Sequence, residues 1–515
     1  MHWADVIAEK AVEENEHPVI AAGISPTGIL HVGSLREAIT GESVCSVLRE
    51  RGYAVRLVYL VDSFDPLRRR YEFLPKEFEK YVGMPICNIP CPCGKHDNYA
   101  DHFIQPLFDV IKQMKMECDV IWTHELYESG RFAETINLSI EKRVEVADIL
   151  QEVSGRNKTF VPYSPLCEEC GRFSSPILET YRFPYVEYEC ACGHTGKANV
   201  CKMEGKLPWR LEWPAKWKIF GVTVEPFGKD HAAAGGSYDT GKEIVEKIFG
   251  GKAPYPVPYE FVQLKGVGQM HKSTGSPITA LDAVKITPPE VLNYLFLRVN
   301  PHRSIEYDSR TGVLDISDEY DRMETLYFDG NFTEAEENQV RAYEISQRND
   351  VSVVKPLQVS YRHLANVVQV AEDLEGVLDI IKRTKNVYID SVNASKLRLK
   401  CDCIKYWLEK FAPDIVKFSI CKTIPVLEFS AGDKALFDSL VTKFMSIDWR
   451  ADEINEGILE SSKENRLSLK NSFQVLYRIF IGKSSGPRIG TFLESMDRNF
   501  VVERLKEAMA MCREF

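Results

Sequence analysis

At 515 residues the chain is too long for one ordinary hydrophobic core, and roughly two to four domains are expected. Its net charge of −11 argues against indiscriminate binding of polyanions, while a local basic face would still admit a nucleic acid. No apolar run reaches membrane-spanning length and Met1-His2-Trp3-Ala4-Asp5 has none of the regions of a signal peptide, so no membrane contact and a cytoplasmic location are expected.

Pro18–Ala22 predicts a short buried strand, and Ser34–Arg51 an amphipathic helix with Leu35, Ile39, Val44, Val47 and Leu48 as its apolar members. Between them, Gly23-Ile24-Ser25-Pro26-Thr27-Gly28-Ile29-Leu30-His31-Val32-Gly33-Ser34 is a glycine-broken turn that carries a histidine. Gly33 and Ser34 fall at the helix start, where unpaired amides and the helix dipole attract phosphate. A second strand, Ala54–Val61, completes a βαβ unit and delivers Asp62 to the carboxyl edge of the sheet, where such folds bind ligands.

Fourteen cysteines, several in CxC and CxxC clusters, suit metal ligation in a reducing compartment better than disulfides. Cys91 and Cys93 with His96 and His102 are compact enough for one ion. The two histidines do not share a helical face, so a turn must precede the helix. Cys167 and Cys170 with Cys190 and Cys192 form two knuckle-like turns for a structural zinc, with His194 as the alternative fourth ligand and Cys201 as a spare.

The α/β core is expected to resume near Glu212, with Phe220–Val224 and Glu260–Leu264 as strands. Trp209, Trp213 and Trp217 have the spacing of a helical packing stripe, of which one would touch ligand. Gly228–Gly241 is a glycine-rich loop suited to a ribose or amino-acid pocket, in front of a helix from Lys242 to Phe249 capped by Asp239 or Thr240. Lys265–Ser276 has the composition of a mobile loop whose Lys272 would neutralise charge developing on phosphates. Beyond Thr287-Pro288-Pro289, helical periodicity dominates, as in Leu357–Lys382 and Leu397–Phe411, and the acidic stretch Ser446–Glu464 reads as a solvated face or hinge. The expected fold is α/β: a Rossmann-type nucleotide-binding core over 1–285 with a zinc-bearing insertion at about 66–208, a connecting helical region over 286–370, and an α-helical bundle over 371–515.

These elements resemble class I aminoacyl-tRNA synthetases, with His31-Val32-Gly33-Ser34 at the place of the HIGH signature and Gln269–Gly275 at that of KMSKS. They most resemble the class I lysyl-tRNA synthetases, on Gly23–Gly28, Trp213-Pro214-Ala215-Lys216-Trp217, the run from Glu225 through His231 to Gly236–Glu243, and Ser485–Gly490. Two positions depart from the pattern. Gln269 replaces the first lysine of the second signature, with Lys272 matching the second lysine of the general form and Thr274 that of the subfamily's longer form. Ser34 stands where the subfamily usually has asparagine.

The resemblance implies ATP-dependent formation of lysyl-adenylate from L-lysine and its transfer to the 3' end of tRNA(Lys), by positioning and electrostatics without a protein nucleophile. It implies His31, Ser34 and Lys272 as catalytic residues, and Pro26, Thr27, Gly28, Gly33, Gly228, Asp230, Met270 and Ser273 beside them on ATP and its magnesium. For lysine it implies Gly23, Ser25, Trp209, His231 and Tyr259, with Asp62, Asp65 or Asp230 as the acid for the ammonium. The region 286–370 would contact the tRNA stem and 371–515 the anticodon, with Lys396–Lys400 and Lys483–Arg488 as candidate basic faces; a monomer is expected. The competing readings are a class I synthetase for another amino acid such as glutamate, whose pocket needs convergent arginines, and a non-catalytic synthetase-like RNA-binding protein.

Overall fold

The structure, a computed structural model, describes residues 1–155, 160–269, 278–425 and 428–512. Met270, Lys272 and Ser273, expected on ATP, lie outside the described residues.

The first elements are α1 (Trp3–Glu14), β1 (Val19–Ile24), α2 (Leu35–Glu50), β2 (Arg56–Val61), α3 (Tyr99–Gln113), β3 (Asp119–Trp122), α4 (Thr123–Glu128), α5 (Ala133–Glu141) and α6 (Arg143–Ser154). An insertion follows, with β4 (Ser164–Pro165), β5 (Ser175–Arg182), β6 (Tyr185–Glu189), β7 (Thr195–Asn199) and β8 (Gly205–Lys206). The chain returns through α7 (Trp209–Phe220), β9 (Val224–Gly228), α8 (Ser237–Lys247) and β10 (Tyr255–Tyr259). The central sheet has the order β10-β9-β1-β2-β3 and is parallel throughout. It is α/β in class, and its carboxyl edge gathers the ends of β1, β2 and β9. In the insertion β5, β6 and β7 form an antiparallel sheet, and β4 pairs with β8.

Helix α2 differs from the amphipathic pattern its sequence suggests. From Leu35 to Leu48 every residue except Glu37 is buried, including Arg36 and Glu42. The reason is double packing: β1 and β9 lie on one side, α1 and the later helix Pro289–Leu297 on the other. The Arg36 guanidinium donates to the carbonyls of Asn300, Pro301 and Arg303 at 3.1–3.4 Å, which satisfies part of a charge that would otherwise be costly to bury. Two other expectations shift. Helix α7 continues to Phe220, where Gly221 at φ 61° closes it, so the strand starts at Val224 rather than Phe220. Helix α8 starts at Ser237, and Asp239 accepts from the Gly235 amide instead of capping a later helix.

The chain forms two compact units: Met1–Val284, Pro289–Asp308 and Met323–Val353 make one, and Lys285–Pro288, Ser309–Arg322 and Val354–Phe515 the other. These are not the divisions expected at 285 and 370, because the chain after 288 packs back onto the first unit. His2 and Trp3 hydrogen-bond to the Leu297 carbonyl, and Arg341 binds Asp5. The second unit is helical. Leu357–Lys382 contains two helices, Tyr361–Val370 and Leu374–Lys385, the second capped by Asp373. The stretch expected to be a solvated face or hinge contains helix Ala451–Glu464, whose Asp452, Glu453, Glu456 and Glu460 are exposed while Ile454 and Ile458 are fully buried. No helix among the described residues is long and apolar enough to cross a membrane.

Candidate active site

A cavity of 620 Å³ opens at the carboxyl edge of the central sheet. Of the residues expected from the sequence, Gly23, Ser25, His31, Gly33, Ser34, Asp62, Asp65, Trp209, His231 and Tyr259 all border it. Pro26, Thr27, Gly28, Gly228 and Asp230 are not on its wall; the Thr27 carbonyl accepts from Tyr99 at 2.7 Å, and Asp230 is largely exposed beside His231. Two tryptophans, Trp209 and Trp213, reach the cavity in stacked contact at 5.4 Å, while Trp217 is buried behind them.

The phosphate-like corner is built by close approach. Residues 32–34 form a 3-10 turn leading into α2. A Cβ on Gly33 would stand 2.9 Å from the His31 imidazole, so glycine is what lets that ring lie over the turn. The Ser34 hydroxyl is buried without a hydrogen-bond partner among the described residues, at the wall of the cavity. A buried hydroxyl left in that state is suited to an incoming oxygen.

Across the cavity stand acids that sequence reasoning missed. Glu37, the one residue from Leu35 to Leu48 left partly uncovered, accepts from the Gly23 amide at 2.6 Å and from the Tyr259 hydroxyl at 2.7 Å. Burial and this carboxylate hold the Tyr259 phenol well above its usual pKa, so it stays a donor. The only trace of Glu37 in the sequence is an acid in the first turn of a helix. Glu225 accepts from Trp213 at 2.9 Å and from Trp217. Burial, against the two indole donors, pushes its carboxyl up to about 7. With a folded pKa above the unfolded value, its contribution to stability is complete below about pH 4.5 and is lost as pH rises to about 7, by about 3 kcal/mol. Thermal melts of the Glu225→Gln variant and wild type across pH 4.5–8 should therefore differ by a pH-dependent increment confined to that window; parallel curves would exclude it.

Of the three acids expected to meet an ammonium, Asp62 and Asp65 are already engaged by lysines, and Asp230 is off the cavity wall. Lys216 binds Asp62, and Glu212 at 2.9 Å; Lys206 binds Glu212, and Asp65 at 3.1 Å; the Ser25 hydroxyl donates to Asp65 at 2.7 Å. Asp62 is raised by burial to about 6 against the pull of Lys216. Glu212 is held at about 2, since Lys206 and Lys216 outweigh its desolvation. Arg210, also at the cavity, donates to Thr240 at 2.8 Å and the Gly236 carbonyl, and Arg68 is exposed at the rim, so the wall does not converge arginines on one point.

Both cysteine clusters assemble. Cys167, Cys170, Cys190 and Cys192 place their sulfurs within 4.8 Å of one another, with Sγ–Sγ separations of 3.7 and 3.5 Å for Cys167–Cys192 and Cys170–Cys190. Zinc–thiolate bonds in a tetrahedron require an edge of about 3.8 Å, so the donors fit zinc. His194 is not among them; its Nε2 meets Glu168 at 3.0 Å, and Cys201 is also apart. Cys91 and Cys93 meet His96 in a turn and His102 on α3, with Cys91 Sγ 3.3 Å from His96 Nδ1 and Cys93 Sγ 3.3 Å from His102 Nδ1. The turn required before the helix is present.

A parallel α/β sheet with a histidine-bearing turn at a helix start and a carboxylate-bearing cavity beside it has the layout of a nucleotide-binding enzyme. The family model of tRNA synthetases class I (K) matches residues 1–349. The chain is similar over nearly its whole length to the lysine–tRNA ligases of Thermoplasma acidophilum, 40% identical with 99% of each chain covered, and of Archaeoglobus fulgidus, 40% identical over 99% of this chain and 100% of the relative. The lysine–tRNA ligase of Thermoplasma volcanium is 39% identical over 99% of each. The chain belongs to the class I tRNA synthetase (K) family.

Proposed function

We infer that the chain is a lysine–tRNA ligase, activating L-lysine with ATP and transferring it to the 3' end of tRNA(Lys). The observation that carries the choice of amino acid is Glu37, an acid fixed by two donors inside a cavity where Asp62 and Asp65 are each paired with a lysine. The side-chain ammonium of lysine lies at Glu37 and Tyr259, with Trp209 and His231 along its methylenes, and Gly23 and Ser25 meet the α-groups. A glutamate side chain would face that carboxylate instead.

In the first step a carboxylate oxygen of lysine attacks the α-phosphorus of ATP and the bond to pyrophosphate breaks. In the second the 2'-hydroxyl of the terminal adenosine attacks the activated carbonyl and AMP leaves. His31 and Ser34 donate to phosphate oxygens where charge grows, and Lys272 is proposed to oppose them. Magnesium, held through ATP oxygens and water, would offset phosphate charge when bound. Pro26, Thr27, Gly28, Gly228, Asp230, Met270 and Ser273 are proposed to frame ATP. The cytoplasm and a monomeric state are proposed, as are stem contacts over 286–370 and anticodon contacts over 371–515.

The two clusters are proposed as structural zinc sites that stiffen segments too small to fold on their own cores. Elemental analysis of the purified protein should find two zinc ions per chain, falling to one in the Cys91→Ser, Cys93→Ser double variant; no zinc in wild type would remove both sites.

The function is tested by charging tRNA with each of the twenty amino acids. Lysine alone should be attached, and lysine left uncharged would overturn the reading. The resemblance further implies that pyrophosphate exchange stays at background until tRNA is added; exchange without tRNA would contradict that requirement.

A further inference from the structure

Along and behind the cavity wall a line of polar and charged side chains runs Ser25, Asp65, Lys206, Glu212, Lys216, Asp62. Both ends open into the cavity, since Ser25, Asp65, Asp62 and Lys216 are on its wall; Lys206 and Glu212 stand behind it. Glu212 is fully buried and Lys206 is 7% exposed. Three carboxylates thus share two ammonium groups. Tyr127 donates to Glu212 at 2.7 Å and accepts from the Leu207 amide at 3.0 Å, which fixes Glu212 and the chain next to Lys206 together.

Burying two lysines is costly, and an ion-pair line of this kind adds little stability over apolar packing of the same volume. Its geometry serves placement instead. Asp65 gives one oxygen to Lys206 and the other to the hydroxyl of Ser25, so the lysine determines where Asp65 points and Asp65 determines where Ser25 points. Lys206 also spends the charge of an acid that would otherwise compete with Glu37 for an ammonium. It lies on β8, whose partner β4 leads into Cys167, and the Leu166 amide donates to the Glu204 carbonyl at 2.9 Å, so the clamp is borne by the ribbon that carries the tetracysteine cluster.

We propose that Lys206, backed by Glu212, is a positioning residue of the amino-acid pocket: it clamps Asp65, aims Ser25 at the α-groups of the substrate, and removes Asp65 as a rival to Glu37. The proposal rests on the lysine reading given above. Losing a charge-assisted bond of this sort corresponds to about a tenfold to hundredfold change in binding.

The test is steady-state charging by wild type, Lys206→Met, Lys206→Met with Asp65→Asn, and Glu212→Gln. The methionine variant should raise KM for lysine at least about tenfold and leave KM for ATP within about threefold, because only one substrate depends on Ser25. The double variant removes the stranded charge while the amide oxygen introduced at position 65 still accepts from Ser25, so KM for lysine should return most of the way to wild type. Glu212→Gln, which keeps shape and the Tyr127 contact, should raise KM for lysine by about threefold and covers the case in which the methionine variant does not fold. An unchanged KM for lysine in the folded single variants, or no recovery in the double variant, would overturn the clamp and leave a structural ion pair. A wild-type enzyme that leaves lysine uncharged would instead remove the reading beneath it, and the clamp with it.

Discussion

Replacing Glu37 by Gln should lower kcat/KM for lysine by about a hundredfold or more, with KM for ATP little changed. Glutamine preserves the size of the side chain and can still accept from the Gly23 amide or Tyr259, so the corner does not collapse. What is lost is the charge that pairs with an ammonium in a partly desolvated slot. The loss should fall mostly on binding, because the side-chain ammonium is as far from the reacting carboxylate in the transition state as in the ground state. Lysine titration by calorimetry on the folded variant would check this, and an affinity equal to wild type would transfer the role of ammonium acceptor to another acid. Glu225 is another acid of the cavity wall, but two indoles already occupy its oxygens.

Replacing His31 by Ala should lower the rate of adenylate formation by about a hundredfold to a thousandfold while lysine affinity holds. The imidazole lies against the Gly33 backbone at the cavity wall, and its donor has most to offer where phosphate charge increases. Rapid-quench measurement of adenylate in the presence of tRNA isolates this step from transfer. A rate within about threefold of wild type would place phosphate stabilisation outside the 31–34 turn. Ser34→Ala, which empties a buried hydroxyl with no partner among the described residues, should give a smaller fall in the same assay.

The parts of this site that were legible in the sequence are those set by local rules. A strand, a glycine-broken turn and a helix follow one another from Val19 to Glu50 with the spacing the chain dictates, and cysteine pairs two or three residues apart converge with little help from the rest of the fold. The acid proposed for lysine was not legible. Asp62 and Asp65 carry the right charge at the right sheet edge, but Lys216 and Lys206 reach them from α7 and β8, more than a hundred residues away, and only tertiary packing makes those pairs. Glu37 was obscured for the opposite reason, since an acid in a helix's first turn is ordinary, and its importance comes from all its neighbours being covered. His194 and Cys192 could not be separated by spacing; the turn that aims one inward leaves the other on Glu168.

The return of the chain after residue 288 has a consequence for how this protein can be divided. Arg36 sits between Ser34 and Glu37 in the sequence, one residue from the acid proposed for the ammonium and two from the turn proposed for phosphate, and its three carbonyl acceptors all come from residues 300–303. A fragment ending at 285 would take away those acceptors and the helix that covers Arg36, and would also strip His2 and Trp3 of the Leu297 carbonyl and leave Asp5 with Arg51 but without Arg341. The smallest piece able to make an adenylate therefore extends to about 353 and must carry the excursion through 309–322 with it. Catalytic competence in this chain is a property of an interleaved segment order, not of its N-terminal portion alone.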